Sequence, residues 1–275
     1  LSFATAAEVA TVISKADSCL GQIPQNHYYM IEALRLDGTD QQKEYFFSKV
    51  LEGDRFGNAF VELGTKTVFD FETRLTNKNG ELVLNGRKFY CTGALFAHWV
   101  PVVAKNDEDR VIIAFVSRDA PGLTILDDWS SFGQRTTASG TAVFENVVVL
   151  PNNVIDHQAA FDRPTAMGPV AQIFHTAVDL GIARAAVEDT ITFVRKHTRP
   201  WIDSGQDHGY EDPYIIHQVG ELEVRVHAAD ALLERAGHFV DDAVRAPAEQ
   251  TVAEASVATA EAKAIATEIS ILATN

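Results

Sequence analysis

Cysteine is scarce in this chain: two residues, Cys19 and Cys91, in 275. Two thiols make no disulfide framework, and they read as free thiols of a reducing compartment, so a cytoplasmic location is expected. Basic residues are also few, 23 Lys and Arg against 38 Asp and Glu, for a net charge of -15. That balance excludes a nucleic-acid binder, which needs a basic footprint, and docking on an anionic membrane surface. No apolar run approaches the roughly 20 residues that cross a bilayer. No basic stretch followed by an apolar run opens the chain, so no secretory leader is expected. Several chemical motifs are missing too: HExxH, paired CxxC, a phosphate-binding P-loop, GxGxxG after a strand and a G-x-S-x-G elbow. The nine histidines follow no metal-ligand spacing, so no metal site is expected. Metalloenzyme, P-loop nucleotidase, dinucleotide-binding dehydrogenase and serine hydrolase all lose support.

What is present has three textures. Residues 1–58 read as helical, with Ala7, Val9, Ala10, Val12 and Ile13 at helical spacing and one helix predicted over Ala6–Leu20. Pro24 breaks that pattern, a second helix follows, and Asp40 reads as the cap of a third. Residues 59–167 read as β. Asn85-Gly86 between apolar runs predicts a tight hairpin, Lys78-Asn79-Gly80 a second turn, and further strands are predicted at 100–104, 111–116, 123–126 and 141–149. Short strands at this spacing predict a small antiparallel barrel or sandwich. Residues 168–275 return to helix, over 173–197, 214–244 and 249–273, which predicts a bundle. The fold class is therefore α+β: an N-terminal helical domain (1–58), a middle antiparallel β domain, barrel or sandwich (59–167), and a C-terminal helical bundle (168–275). The chain opens without Met inside a helical pattern and stops straight after a helix, so both ends read as truncated.

Three stretches could carry chemistry. In Arg87–Gly93, Tyr90 and Thr92 are expected on one face of a strand end, where an aromatic can stack on a planar ring and a hydroxyl can bond its edge. By composition alone an ordinary strand end is the simpler reading. Trp129–Thr141 holds six hydroxyl residues, two glycines and an arginine, and could wrap a polar ligand or be a solvated loop. Arg195-Lys-His-Thr-Arg199 ends a helix, where cations offset the negative helix terminus. In so acidic a chain it is also the best place for a phosphate, because arginine offers a bidentate fork.

Read together, Gly57–Glu62, Leu84–Gly93, Gly133–Thr141 running into Phe144–Pro151, and Leu180–Ala186 resemble the acyl-CoA dehydrogenase superfamily. That family combines a helical domain, a β-barrel and a four-helix bundle. Gly21–His27, Thr92–Ala97, Gly133–Gly140 and Arg199–Gly205 are similar to one branch of it, the sulfur-acquisition oxidoreductases and their dibenzothiophene-desulfurising relatives. The resemblance implies a flavin cofactor, reduced FMN ahead of FAD, and a separate NADH-dependent flavin reductase as partner. It also implies a homo-oligomer, a tetramer or dimer, and oxygenation of a small organosulfur substrate.

Carried over residue by residue, the resemblance places Tyr90 beside the flavin ring and the Thr92 hydroxyl near flavin N5, with Gly93 next to it. Asn58, Thr92 and Trp129 would line the catalytic pocket, Ser139 would follow the flavin loop, and Arg199 would reach the flavin phosphate. Gln22, Asn26 and His27 would face the substrate, Gln22 and Asn26 sharing one helix face. Tyr90 departs from the tryptophan common in the family, and against the family pattern the C-terminal catalytic segment reads as missing and the opening helices as largely missing. Two other functions stay open. An FAD-dependent acyl-CoA dehydrogenase would need a carboxylate base, with Glu188 and Glu221 available but read as solvated. A non-catalytic flavin-fold binding protein would need neither.

Overall fold

The computed structural model describes residues 1–64, 66–67 and 70–275. The helices are α1 (Phe3–Ala16), α2 (Ser18–Gln22), α3 (Gln25–Asp37), α4 (Asp40–Leu51), α5 (Met167–His197), α6 (Pro213–Arg245) and α7 (Glu249–Thr274). The strands are β1 (Arg74–Lys78), β2 (Glu81–Lys88), β3 (Trp99–Lys105), β4 (Val111–Ser117), β5 (Leu123–Ile125), β6 (Ala142–Val149) and β7 (Val154–Ile155). The chain divides into two compact units, residues 1–21 with 168–275, and residues 22–167. Among the described residues no helix is long and apolar enough to cross a membrane.

The first unit is helical. The predicted Ala6–Leu20 helix is split, because α1 closes at Ala16 and α2 starts two residues on. α1 starts on Ser2, whose hydroxyl accepts the Thr5 N–H at 3.1 Å. Asp241 of α6 accepts the Phe3 N–H at 2.6 Å, a second satisfied donor at the same end. Arg184 of α5 donates to Asp230 of α6 at 2.9 Å and to Glu8 of α1 at 3.0 Å, so one guanidinium ties three helices. Between α6 and α7, Ala236, Ala258 and Ala262 are fully buried, with Leu232 and Phe239 packed against them. The alanines of α7 thus make a close helix contact as well as favouring helix.

The second unit joins α3 and α4 to a seven-stranded sheet of order β5-β6-β2-β1-β3-β4-β7. The expected antiparallel barrel is not closed among the described residues. The sheet ends at β5 and β7, three and two residues long, and β1 meets β3 in parallel at the single pair Arg74–Lys105. The other pairings between these strands are antiparallel, while Phe56 and Ala59 make isolated parallel bridges to Trp99 and Val102. The β1–β2 hairpin turns at Asn79-Gly80, with φ of 55° and 94°. Asn85-Gly86 does not turn the chain. β2 runs through it, and the pairing with β6 slips there into a bulge. Glycine is needed at that point because a Cβ on Gly86 would fall 2.2 Å from the Thr73 hydroxyl.

The start of α4 also differs from expectation. Thr39 is the cap, accepting the Gln42 N–H at 3.2 Å, while the Gln42 side chain accepts the Thr39 N–H at 2.9 Å. Asp40 lies one residue inside, where its charge faces the positive helix end. The Gln42 amide continues to the carbonyls of Asn152 and Val154, at 3.0 and 2.8 Å.

An ion pair is buried in this unit. The Lys88 side chain is 0% exposed and lies 2.6 Å from Glu62, which is 6% exposed. Lys88 also donates to the Phe60 carbonyl at 3.1 Å, and Glu62 accepts the N–H groups of Glu72 and Thr73 at 2.7 and 3.1 Å. Burial pulls the Lys88 ammonium below the usual lysine range, against the pull of Glu62. Burial alone would raise Glu62, but the bonds from Lys88, Thr73 and Glu72 outweigh it and hold the carboxyl below its ordinary value.

Candidate active site

The segment after β2 forms one wall of the site. Tyr90 does not continue the strand. Its φ is 52°, a left-handed conformation that bulky residues avoid and that clusters at functional sites. Tyr90 and Thr92 therefore do not share a strand face as expected; a tight turn, closed by Thr92 N–H to Tyr90 O at 2.8 Å, carries both. The Tyr90 ring is half exposed and stands edge-on to Trp129, with centroids 6.0 Å apart at 77°. The Trp129 indole N–H is fixed on the Gln134 carbonyl at 3.0 Å.

The 129–141 loop forms the other wall. The backbone joins the two: Cys91 N–H to Gly140 O at 2.9 Å, and Gly93 N–H to Thr137 O at 3.0 Å. Asp128 anchors the loop's end, accepting the Thr141 N–H and hydroxyl at 2.8 Å each. Three hydroxyls run between the walls. Thr92 meets Ser139 at 2.8 Å, Ser139 meets Thr137 at 2.8 Å, and Thr137 donates to the Gln134 carbonyl at 3.0 Å. Since the Thr137 proton is spent on that carbonyl, Thr137 accepts from Ser139 and Ser139 accepts from Thr92. The chain leaves Thr92 Oγ with lone pairs free to accept.

Asn58 approaches the same turn, its amide nitrogen 3.5 Å from the Tyr90 carbonyl. Its side-chain oxygen is buried and has no hydrogen-bond partner. Unsatisfied buried polar atoms are rare, and a ligand donor is one way to satisfy this one. Asn58, Tyr90, Thr92, Gly93, Trp129 and Ser139 are thus brought together within the 22–167 unit.

The other expected residues make no hydrogen bond to that cluster among the described residues, and two of them hold the backbone beside it. Gln22 ends α2, and Pro24 separates it from Asn26 and His27 on α3, so Gln22 and Asn26 do not share one helix. Asn26 donates to the Gly57 carbonyl at 2.9 Å, and His27 Nδ1 accepts the Phe56 N–H at 3.1 Å. Both pin the segment leading to Asn58. Arg199 is exposed, two residues past α5 in the helical unit, and enters no ion pair among the described residues. Glu188 and Glu221 are exposed, paired with Lys15 and Arg225, and neither is a desolvated base.

Sequence reasoning missed Asp128, Thr137 and the carbonyl of Gln134. Their roles depend on how the loop folds back, which no local pattern in the 129–141 stretch encodes.

Three histidines share an electrostatic property. Burial lowers the pKa of His27, His157 and His175 to about 4, with Arg55 adding to the effect at His27 and Lys263 at His175. At His157 the nearby Asp156 acts in the opposite direction. Between about pH 6.5 and 4 the unfolded chain binds protons that the folded chain refuses, so stability falls as pH falls through that window. Each group contributes up to about 1.4 kcal/mol per pH unit. Urea melts at pH 7, 6 and 5 should show a progressively lower midpoint. A flat profile would mean that these rings are solvated.

Comparison with known proteins places two domain descriptions on the chain: the acyl-CoA dehydrogenase middle domain over residues 64–147 and the acyl-CoA dehydrogenase C-terminal domain over residues 173–275. A dibenzothiophene monooxygenase of Rhodococcus erythropolis is 32% identical over 250 residues, covering 86% of this chain and 60% of that protein. One from Mycolicibacterium goodii is 31% identical over 284 residues, covering 97% of this chain and 68% of that protein. The chain therefore spans about 60% of the length of the Rhodococcus relative. Among solved structures, FMN-bound TdsC from Paenibacillus sp. A11-2 superposes with a TM-score of 0.91 at 26% identity, covering all of this chain and 74% of that one.

Proposed function

We propose that this chain, which belongs to the acyl-CoA dehydrogenase superfamily on the branch of its sulfur-compound monooxygenases, forms the flavin-binding part of a monooxygenase. In this reading it uses reduced FMN to oxygenate a small organosulfur compound. The observation that carries the reading is the convergence of Asn58, Tyr90, Thr92, Trp129 and Ser139 on one turn and one loop.

The residues present fit such a group. The hydroxyl chain leaves Thr92 Oγ as an acceptor, which suits the N5–H of a reduced flavin better than the bare N5 of an oxidised one. The orphaned Asn58 oxygen offers a second acceptor beside it. Tyr90 and Trp129 supply apolar ring surface that keeps water away from the ring system. Reduced FMN, when bound, would supply the electrons that activate oxygen; the protein supplies binding, orientation and exclusion of water. Arg199 is assigned to the flavin phosphate, and Gln22, Asn26 and His27 to the substrate side. FAD is the alternative cofactor.

The division into 1–58, 59–167 and 168–275 belongs to the same reading, as do a cytoplasmic homo-oligomer and an NADH-dependent flavin reductase as partner. The dehydrogenase alternative finds no base in Glu188 or Glu221, which are solvated.

The test has two arms. With NADH, FMN, a flavin reductase and air, the protein should form dibenzothiophene S-oxide, or the S-oxide of a smaller sulfide, and only when the reductase is present. Dye reduction by an acyl-CoA without reductase would overturn the reading. Anaerobic titration with reduced FMN should show Arg199→Ala binding about tenfold more weakly, and Lys196→Ala within about twofold of the parent. Equal effects would mean the phosphate lies elsewhere.

A further inference from the structure

We propose that Thr137 and Ser139 are positioning residues: they fix the direction of the Thr92 hydroxyl and so make the site select a reduced flavin over an oxidised one. The proposal rests on the flavin reading and assigns that selectivity to side chains that act through Thr92.

The direction follows from counting protons. Three hydroxyls meet across three short contacts: Thr137 to the Gln134 carbonyl at 3.0 Å, Ser139 to Thr137 at 2.8 Å and Thr92 to Ser139 at 2.8 Å. Each contact needs one proton, because without it two oxygens this close set lone pair against lone pair. A carbonyl has no proton to give, so Thr137 donates to Gln134, Ser139 to Thr137 and Thr92 to Ser139. The reverse order would leave the Thr137–Gln134 contact without a proton. It would also send the Thr92 proton to the Tyr90 carbonyl, 3.5 Å away and at the outer limit of a hydrogen bond.

The surroundings hold that order in place. The Gln134 carbonyl, where the chain ends, also accepts the Trp129 indole N–H at 3.0 Å, and the Thr137 carbonyl accepts the Gly93 N–H at 3.0 Å. Thr137 and Ser139 are 1% and 7% exposed, so water does not compete for their protons. Thr92 is half-buried and is the member of the chain that a ligand can reach. With its proton committed to Ser139, it meets that ligand with lone pairs alone. Flavin N5 carries a hydrogen when reduced and a bare lone pair when oxidised, so Thr92 bonds the first and repels the second.

Removing the Thr137 hydroxyl reverses the chain. In Thr137→Val, Ser139 loses its acceptor and turns its proton onto Thr92, whose own proton is then free for the ligand. Thr92 becomes a donor, which suits the oxidised ring.

The probes are reduced and oxidised FMN, titrated anaerobically into the purified protein and followed by quenching of its fluorescence. The readout is the ratio of the two dissociation constants. The parent should bind reduced FMN at least about tenfold more tightly than oxidised FMN. Thr137→Val should lower that ratio about tenfold, a fall of about 30 mV in the two-electron potential of the bound flavin. Thr137→Ser should keep the ratio within about twofold of the parent, and in a Thr92→Val background Thr137→Val should change it no further. Ser139→Ala frees the Thr92 proton directly, should lower the ratio about fivefold, and carries the test if Thr137→Val does not fold. A parent that prefers oxidised FMN, an unchanged ratio in the variants lacking a hydroxyl, or an effect that persists without the Thr92 hydroxyl would each overturn the proposal and leave the flavin reading standing. A parent that binds neither form of FMN would overturn both.

Discussion

Replacing Lys88 by methionine is expected to remove about 3–5 kcal/mol of stability. The methionine fits the aliphatic path of the lysine, but it leaves the Glu62 carboxylate, 6% exposed, without its cation. Two backbone N–H groups still reach Glu62, from Glu72 and Thr73, and they do not neutralise its charge. The double variant Glu62→Gln with Lys88→Met should recover most of the loss, because a buried pair replaced as a pair is often near neutral. The sign of the pH dependence separates this account from simple packing damage. In the parent, Glu62 titrates below its ordinary value, so its contribution is present at neutral pH and lost as pH falls through the folded value. In Lys88→Met the lone carboxyl titrates above its ordinary value, so the variant's deficit should shrink as pH falls from 7 towards 4.5. Urea midpoints at both pH values for the parent, single and double variants decide the matter. A deficit independent of pH, with no recovery in the double variant, would refute the charge argument.

Gly140→Ala is expected to weaken reduced-flavin binding by more than about tenfold, with a stability loss of about 1–3 kcal/mol. The added Cβ would lie 2.4 Å from the Leu126 carbonyl oxygen and 2.5 Å from Asp128 Oδ1. The first is backbone, and the second belongs to the carboxylate that anchors Thr141, so neither yields cheaply. Gly140 O also accepts the Cys91 N–H, so a shift at 140 passes to the turn that carries Tyr90 and Thr92. Gly133→Ala is the control, since nothing lies within 4 Å of its added Cβ and its φ is not in the left-handed region. It should leave stability within about 0.5 kcal/mol and binding unchanged. Anaerobic flavin titration and urea melts of the two variants check this. Equal binding by Gly140→Ala and the parent would mean that the loop does not touch the flavin.

Much of the fold could be read in the sequence because it is local. Apolar spacing located the three long helices and four of the strands to within a few residues, the largest shift being the start of α5, six residues early at Met167. The failures came where a local signal had two uses. Asn-Gly marks positive φ in a turn, but at 85–86 the same freedom makes a bulge. Thr39 and Asp40 are both good caps, and the reciprocal bond with Gln42 selects Thr39. Closure of the sheet was beyond the sequence, since it depends on whether distant edge strands meet. The site was half legible. Tyr90, Thr92, Trp129 and Ser139 converge, but the left-handed Tyr90, the Asp128 anchor and the burial of Lys88 next to Arg87 follow from packing alone.

A sheet that fails to close exposes two lines of unpaired backbone groups, each a template on which another chain could add a strand. Here both lines are short, three residues at β5 and two at β7, and one carbonyl of β7, Val154, is already occupied by the Gln42 amide. The side chain that fixes the start of α4 therefore also blunts an edge, and the open sheet offers little purchase for aggregation.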